Sequence, residues 1–215
     1  MPYYIGDVIK DYKKLVMRTP EEFKKTGVDV KIKTSVEAIN AEQGFVHLSD
    51  GSVLSYDILV MATGADALRL DIPGADLEGV FVLRDLTDAL RLKSYLNEKG
   101  CRKAVLIGGG YIAMEMCEAL KSLGLETTLM IRRARPVIRW DVEFTKIMLD
   151  ELEKQGVRLL AETRPVAVEK GKDSRLRLIT DGGEIDTDLV LMGAGVSQNT
   201  VLAEAMGLAL GESGA

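Results

Sequence analysis

An apolar strand that runs directly into a glycine turn and then into an amphipathic helix leaves a chain few folds to adopt, and residues 104–123 hold that arrangement. Val105-Leu106-Ile107 reads as a buried strand, Gly108-Gly109-Gly110-Tyr111-Ile112-Ala113 as the turn, and Tyr111 to Leu123 as the helix. The spacing is G-x-G-x-x-A. Gly108 permits a tight turn, Gly110 removes a side chain where a pyrophosphate would sit, and Ala113 is small enough for helix and strand to pack closely. Orphan N–H groups and a partial positive charge at the helix start then favour phosphates. A glycine turn with a purely structural role is the competing reading. Strand, spacing, helix and a second strand at Glu126 to Ile131 all agree, so dinucleotide binding is expected at Gly108 to Ala113.

The choice of dinucleotide depends on the end of that second strand, where an acidic residue would hydrogen-bond a free ribose 2′-hydroxyl. The sequence instead runs Ile131-Arg132-Arg133-Ala134-Arg135-Pro136-Val137-Ile138-Arg139. Planar guanidinium groups suit a 2′-phosphate, which points to NADPH, with NADH as the alternative cofactor. Arg132 is the first candidate contact, with Arg133 and Arg139 beside it. The bland alternative is a solvated loop near Asp141 and Glu143.

The pattern continues with a helix from Val142 to Gln155, a strand from Val157 to Leu160, and strand-like runs around Val166, at Leu176 to Thr180 and at Leu189 to Met192, the last followed by Gly193-Ala194-Gly195. This alternation predicts an α/β fold with a Rossmann-like parallel sheet of the doubly wound kind plus a β-meander. A helix from Thr87 to Lys99 ends at Gly100, and the switch from helical to strand pattern there places a domain boundary at residue 100. Earlier, Thr19-Pro20-Glu21-Glu22 is a capping box that opens a short helix, and Gly27 can close it. Val28 to Lys33 alternates like a strand, Val36 to Ser55 reads as an antiparallel meander, and Ile58 to Ala62 reads as a buried strand stopping at Thr63-Gly64.

A net charge of −5 and a pI near 5.1 argue against nucleic-acid or anionic-membrane partners, so any anion is bound locally. With no apolar run near the roughly 20 residues of a membrane span and no signal-peptide pattern, a cytoplasmic protein is expected. Cys101 and Cys117 do not form a C-x-x-C pair and read as small buried apolar residues; no metal site is expected. His47 reads as a solvent-facing strand residue. Tyr95 and Lys99 match Y-x-x-x-K, but they precede the glycine turn, and helical spacing explains them. Trp140 is expected to pack at a helix entrance, and Met61, Met114 and Met148 to fill core positions.

At Gly110-Tyr111-Ile112-Ala113-Met114-Glu115-Met116 and Thr128-Leu129-Met130-Ile131-Arg132 the chain resembles the flavin-dependent pyridine nucleotide-disulfide oxidoreductases. Pro2-Tyr3-Tyr4-Ile5-Gly6 with Arg18-Thr19-Pro20-Glu21-Glu22-Phe23 is similar to the coenzyme A-disulfide reductase and NADH oxidase branch. Tyr56 to Gly64 resembles the second flavin-domain motif, and Asp188 to Thr200 the strand and glycine turn that close the nicotinamide domain. The resemblance implies a central fragment of a larger protein: residues 1–100 from a partial FAD-binding domain, 101–207 the NAD(P)-binding domain, and 208–215 the start of the return to the FAD domain. It implies hydride transfer from NADPH to FAD and on to a disulfide or oxygen. It also implies a redox cysteine before Met1, no catalytic residue within the chain, and a homodimer formed by a C-terminal domain after residue 215. Tyr111 and Glu115 would lie near the nicotinamide; a packed helix tyrosine and a solvated carboxylate are their plain alternatives. Gly193, Ala194 and Gly195 would close the nucleotide site, and Ala62, Thr63 and Gly64 would approach FAD. A second reading is a nucleotide-binding module without catalysis of its own.

Overall fold

The computed structural model describes residues 1–172 and 174–212. In chain order its elements are α1 (Pro2–Ile5), a 3-10 turn (Tyr12–Leu15), α2 (Pro20–Lys24), β1 (Val36–Asn40), β2 (Phe45–Leu48), β3 (Val53–Ser55), β4 (Ala65–Ala67), β5 (Val80–Val82), α3 (Leu86–Lys99) and β6 (Lys103–Ile107). There follow α4 (Tyr111–Ser122), β7 (Glu126–Met130), α5 (Val142–Lys154), β8 (Arg158–Leu160), β9 (Pro165–Lys170), β10 (Leu176–Thr180), β11 (Gly183–Thr187), β12 (Leu189–Met192), β13 (Val196–Gln198) and α6 (Val201–Ala205). They belong to two compact units, Met1–Tyr12 with Ala67–Val196, and Lys13–Asp66 with the chain from Ser197 on.

The larger unit is built on a parallel sheet ordered β5-β12-β6-β7-β8. Its central strands are apolar along their length because both faces are covered. Ala104, Leu106, Leu129, Leu189 and Leu191 point into one core with Leu92 and Leu96 of α3 and Met116 and Leu120 of α4. Val105, Ile107, Met130, Val190 and Met192 point into a second core against Leu176 and Leu178 of β10. The period-two alternation thus divides each strand between a helical layer and an antiparallel meander ordered β11-β10-β9. The predicted α/β class and parallel sheet hold; one cover is a meander where a doubly wound fold would carry helices.

Three elements differ from the sequence reading. The switch at residue 100 is not a break between compact units. Helix α3 packs into the first core, and β5 pairs with β12 as an edge strand of the parallel sheet. Gly100, at φ 59, ends α3 in the left-handed conformation, and the chain goes straight on into the same sheet. Residues 28–33 form no strand; Val28, Val30 and Ile32 are exposed, and alternation without a neighbouring edge gives no ladder. Residues 58–62 are likewise unpaired, with Ile58 at 84% and Val60 at 81% exposure. Their apolar pattern suits a strand covered on both faces, whereas the described residues cover Leu59 and Met61 in part and leave Ile58 and Val60 open.

In the smaller unit the meander forms as predicted, β1-β2-β3, with Val46 and Leu48 buried and His47 exposed against Phe45. The Thr19 capping box is present: its hydroxyl accepts from the Glu22 amide at 3.3 Å, and the Glu22 carboxylate accepts from the Thr19 amide at 2.7 Å. Residues 213–215 of the expected return segment lie outside the described residues. Among the described residues no helix is long and apolar enough to cross a membrane.

Candidate functional site

Strand β6 has β7, its successor, on one side and β12 on the other, so the strand order reverses there. At such a switch point the connections leave in opposite directions and open a crevice at the carboxyl ends of the strands. Ile107 and Met192 are in register at that end. The Gly108 turn and Gly193-Ala194-Gly195 therefore emerge side by side, joined by the Gly193 amide donating to the Ile107 carbonyl at 2.7 Å.

Each glycine of the turn has its own reason. Gly108 has φ +126, and a Cβ there would stand 2.1 Å from the Gly193 carbonyl oxygen, so no other residue fits. Gly109 lies under Pro136, whose Cα would be 3.1 Å from an added Cβ. Gly110 has an ordinary φ of −90, and a Cβ would meet nothing within 4 Å. That space is open and lies at the N-cap of α4, where no side chain caps the helix. The first amides of α4 have no intrahelical acceptor, so a bare main chain with free donors faces the opening. Ala113 is 1% exposed, and an added Cβ at Gly193 would stand 3.4 Å from its own. Small residues there bring α4 and β12 together. Tyr111, Ile112 and Glu115 lie exposed on the first turns of α4.

The arginine stretch is a loop fastened over this turn. The Val137 amide donates to the Gly109 carbonyl at 2.7 Å. Arg135 is consumed in holding the loop: its guanidinium donates to the carbonyls of Trp140 at 3.0 Å and Ile138 at 3.2 Å, and to the Thr145 hydroxyl at 2.7 Å. Arg132, Arg133 and Arg139 are exposed, and among the described residues no hydrogen bond or ion pair engages their guanidinium groups. Exposed and unengaged in this way, they also match the solvated loop near Asp141 and Glu143 that is the plain alternative. Trp140 does precede α5 as expected, but its partner is Tyr111, with the indole N–H donating to the phenol at 2.8 Å. Nothing in the linear pattern links residues 29 positions apart on different elements, so sequence reasoning missed both this pair and the task of Arg135.

In the smaller unit, Ala62, Thr63 and Gly64 are exposed. The Thr63 hydroxyl donates to the Asn199 carbonyl at 2.6 Å, and the Asn199 amide donates to the Gly64 carbonyl at 3.0 Å. This ties the Thr63-Gly64 turn to the segment after β13.

A cleft of about 580 Å³ lies elsewhere, at the amino ends of the strands between Tyr95, Lys99, Arg175 and Asp188. Its side chains serve the fold: the Tyr95 hydroxyl donates to the Asp188 carbonyl at 3.1 Å, and Lys99 pairs with Glu78 at 2.7 Å. Desolvation pushes the Tyr95 phenol up to about 12, and its hydroxyl and the Lys99 ammonium are each engaged by a partner within the fold. Burial likewise raises the thiols, Cys101 to about 11 and Cys117 to about 12, so neither is an activated nucleophile.

Comparison with known proteins agrees with this geometry. Residues 4–215 match the model of the family described as pyridine nucleotide-disulphide oxidoreductase. The NAD(P)H sulfur oxidoreductase (CoA-dependent) of Pyrococcus furiosus is 37% identical over 218 residues, covering 99% of this chain and 48% of that protein. Among solved structures, reduced CoADR-RHD of Bacillus anthracis matches with a TM-score of 0.91 at 32% identity, over 99% of this chain and 39% of the other. The water-forming NADH oxidase of Lactobacillus brevis bound to NADH matches with a TM-score of 0.90 at 28% identity, over 100% of this chain and 48% of the other. The chain spans about half the length of the curated relatives it matches. With the motif, the switch-point crevice and the family model in agreement, the chain belongs to the pyridine nucleotide-disulphide oxidoreductase family.

Proposed function

We propose that the turn between β6 and α4 binds a reduced nicotinamide dinucleotide, NADPH in preference to NADH, and that the chain is the dinucleotide-binding portion of a FAD-dependent oxidoreductase. The observation that carries this reading is the open Cβ direction at Gly110, beside an uncapped helix start and the carboxyl ends of β6 and β12. In this reading the pyrophosphate lies over Gly108, Gly109 and Gly110 and takes hydrogen bonds from the amides of Tyr111, Ile112 and Ala113. Arg132, Arg133 and Arg139 receive the 2′-phosphate; their lack of internal partners leaves them free to do so. Tyr111 and Glu115 flank the nicotinamide, with Gly193 to Gly195 closing the crevice beside them. The relatives' names cover both NADH and NAD(P)H, so the preference for NADPH rests on the arginines.

In the whole protein, a bound FAD would supply the hydride-accepting and electron-transferring chemistry, with a disulfide or oxygen as the final acceptor. Ala62, Thr63 and Gly64 would approach that flavin. The division into a partial FAD-binding segment, an NAD(P)-binding segment and a return to the FAD domain belongs to this reading, as does a cytoplasmic homodimer without nucleic-acid or membrane partners. A second reading is that the chain by itself is a binding module without turnover, which the exposure of Ile58 and Val60 beside the proposed flavin segment favours.

Isothermal titration of the 215-residue chain with NADPH and NADH tests the proposal. Saturable heat with both, tighter for NADPH, is expected. A folded sample giving no saturation with either would sink it, and a yellow, NADPH-oxidising preparation would exclude the second reading.

A further inference from the structure

Loop 131–141 is linked at three points to the glycine turn and the start of α4. The Val137 amide reaches the Gly109 carbonyl, Pro136 lies against Gly109, and the Trp140 indole N–H reaches the Tyr111 phenol at 2.8 Å. The third link has no packing reason. Tyr111 is 61% and Trp140 38% exposed, so neither ring is a core residue, and ordering two exposed side chains costs conformational entropy. Their rings nevertheless meet at 5.7 Å between centroids, inclined at 55°.

The main chain of Trp140 is pinned from both sides. Its amide donates to the Val137 carbonyl at 2.8 Å, and its own carbonyl accepts from Arg135 at 3.0 Å. Val137 has φ +39, where a β-branched residue is seldom found, so the contacts around it hold the loop in a shape the chain would not choose. The indole therefore projects from a fixed base. Tyr111 is the first residue of α4, immediately beyond the open position at Gly110. Trp140 leaves that opening clear, with no atom within 4 Å of a Cβ added at Gly110.

We propose that Trp140 is a positioning residue: it holds Tyr111 at the mouth of the dinucleotide site and makes the arginine loop and the start of α4 respond to ligand as one body. This rests on the dinucleotide reading given above. A 2′-phosphate engaging Arg132 or Arg139 orders the loop, and Trp140 carries that order to Tyr111 at the other end of the site. Selection for the phosphate is thereby expressed at both ends of the cofactor.

The test uses the 215-residue chain, titrated with NADP+ and NAD+ and read by calorimetry and by the emission of Trp140, the only tryptophan. Tyr111→Phe and Trp140→Phe each keep an aromatic ring and remove only one partner of the bond. Each is expected to weaken NADP+ by about three- to tenfold, the worth of one hydrogen bond, with a smaller loss for NAD+. The double variant loses no more than either single one, because the two share one interaction. Tyr111→Phe also shifts the Trp140 emission before any ligand is added, while the thermal midpoints of all variants stay at the wild-type value. Additive losses, unchanged affinities, equal losses for the two cofactors or an unmoved emission each overturn the positioning role. Wild-type chain that fails to saturate with NADP+ overturns the dinucleotide reading itself, and this inference with it.

Discussion

Two glycines in the turn after β6, Gly108 and Gly110, carry opposite duties, and substitution separates them. A side chain at Gly108 collides with the Gly193 carbonyl at φ +126, so Gly108→Ala is expected to destabilise the chain by about 3 kcal/mol or more, visible as a lowered chemical-denaturation midpoint. A side chain at Gly110 meets only the open space, so Gly110→Val is expected to cost about 1 kcal/mol at the N-cap while abolishing NADPH and NADH binding alike. Retained affinity in a folded Gly110→Val protein would remove the pyrophosphate from this position. The arginines divide in the same way. Arg132→Glu is expected to weaken NADPH by about 1.5–3 kcal/mol more than NADH, through loss of a charge-assisted contact. Arg135→Ala releases three hydrogen bonds that shape the loop and is expected to weaken NADPH more than NADH and also to lower the denaturation midpoint, which Arg132→Glu leaves in place. Titration and unfolding of the two variants side by side distinguish phosphate recognition from loop support. The glycine roles were legible in the sequence because a main chain that must come close to another group leaves no alternative to glycine. The division of labour among the arginines was not, since it depends on which guanidinium the fold turns inward.

At the scale of elements, α1 is held to α3 by a buried lysine. Lys93 donates to the Ile5 carbonyl at 2.7 Å and pairs with Asp7 at 2.8 Å. The hydrogen bond from Lys93 is the main cause that holds the Asp7 carboxyl below its ordinary 3.8, with Lys10 adding to it. A depressed folded-state value stabilises the fold above the unfolded value and ceases to do so as pH falls through the folded one, so this contribution begins to fade as pH falls below about 3.8 and is gone only below the folded value. Asp7 sits at φ +65, which asparagine also tolerates. Asp7→Asn is therefore expected to cost about 1 kcal/mol at pH 7, allowing for the solvent exposure of Asp7, and less at pH 3. Urea unfolding at the two pH values measures it; an equal loss at both would remove the ion pair as the cause. The α3 helix that carries Lys93 was legible from its periodicity and from Gly100, whereas its capping box at Asp85 and Asp88 and the strand β5 before it were not. Three residues, Val80 to Val82, are too few for a periodic signal, and they form a strand because β12 offers them an edge.

Over the whole molecule, burial rather than chemistry governs the cysteines. With thiols raised to about 11 and about 12 from an ordinary 9.0, Cys101 and Cys117 hold at least about a hundredfold less thiolate at pH 8 than free cysteine. Native chain is expected to react with a disulfide reagent at least about that much more slowly than urea-unfolded chain; fast labelling of folded protein would contradict it. The same contrast between pattern and placement runs through the fold. The sequence by itself determined the βαβαβ order, the meander from Val36 to Ser55 and the dinucleotide motif, because periodicity and glycine spacing are local consequences of backbone geometry. Tertiary structure alone decided that α3 and β5 join the glycine-turn sheet across the apparent boundary at residue 100, that Ile58 and Val60 stay uncovered, and that Trp140 meets Tyr111. Those outcomes depend on which surfaces the fold brings together, and a hydrophobic pattern states that a residue wants cover without naming what will cover it.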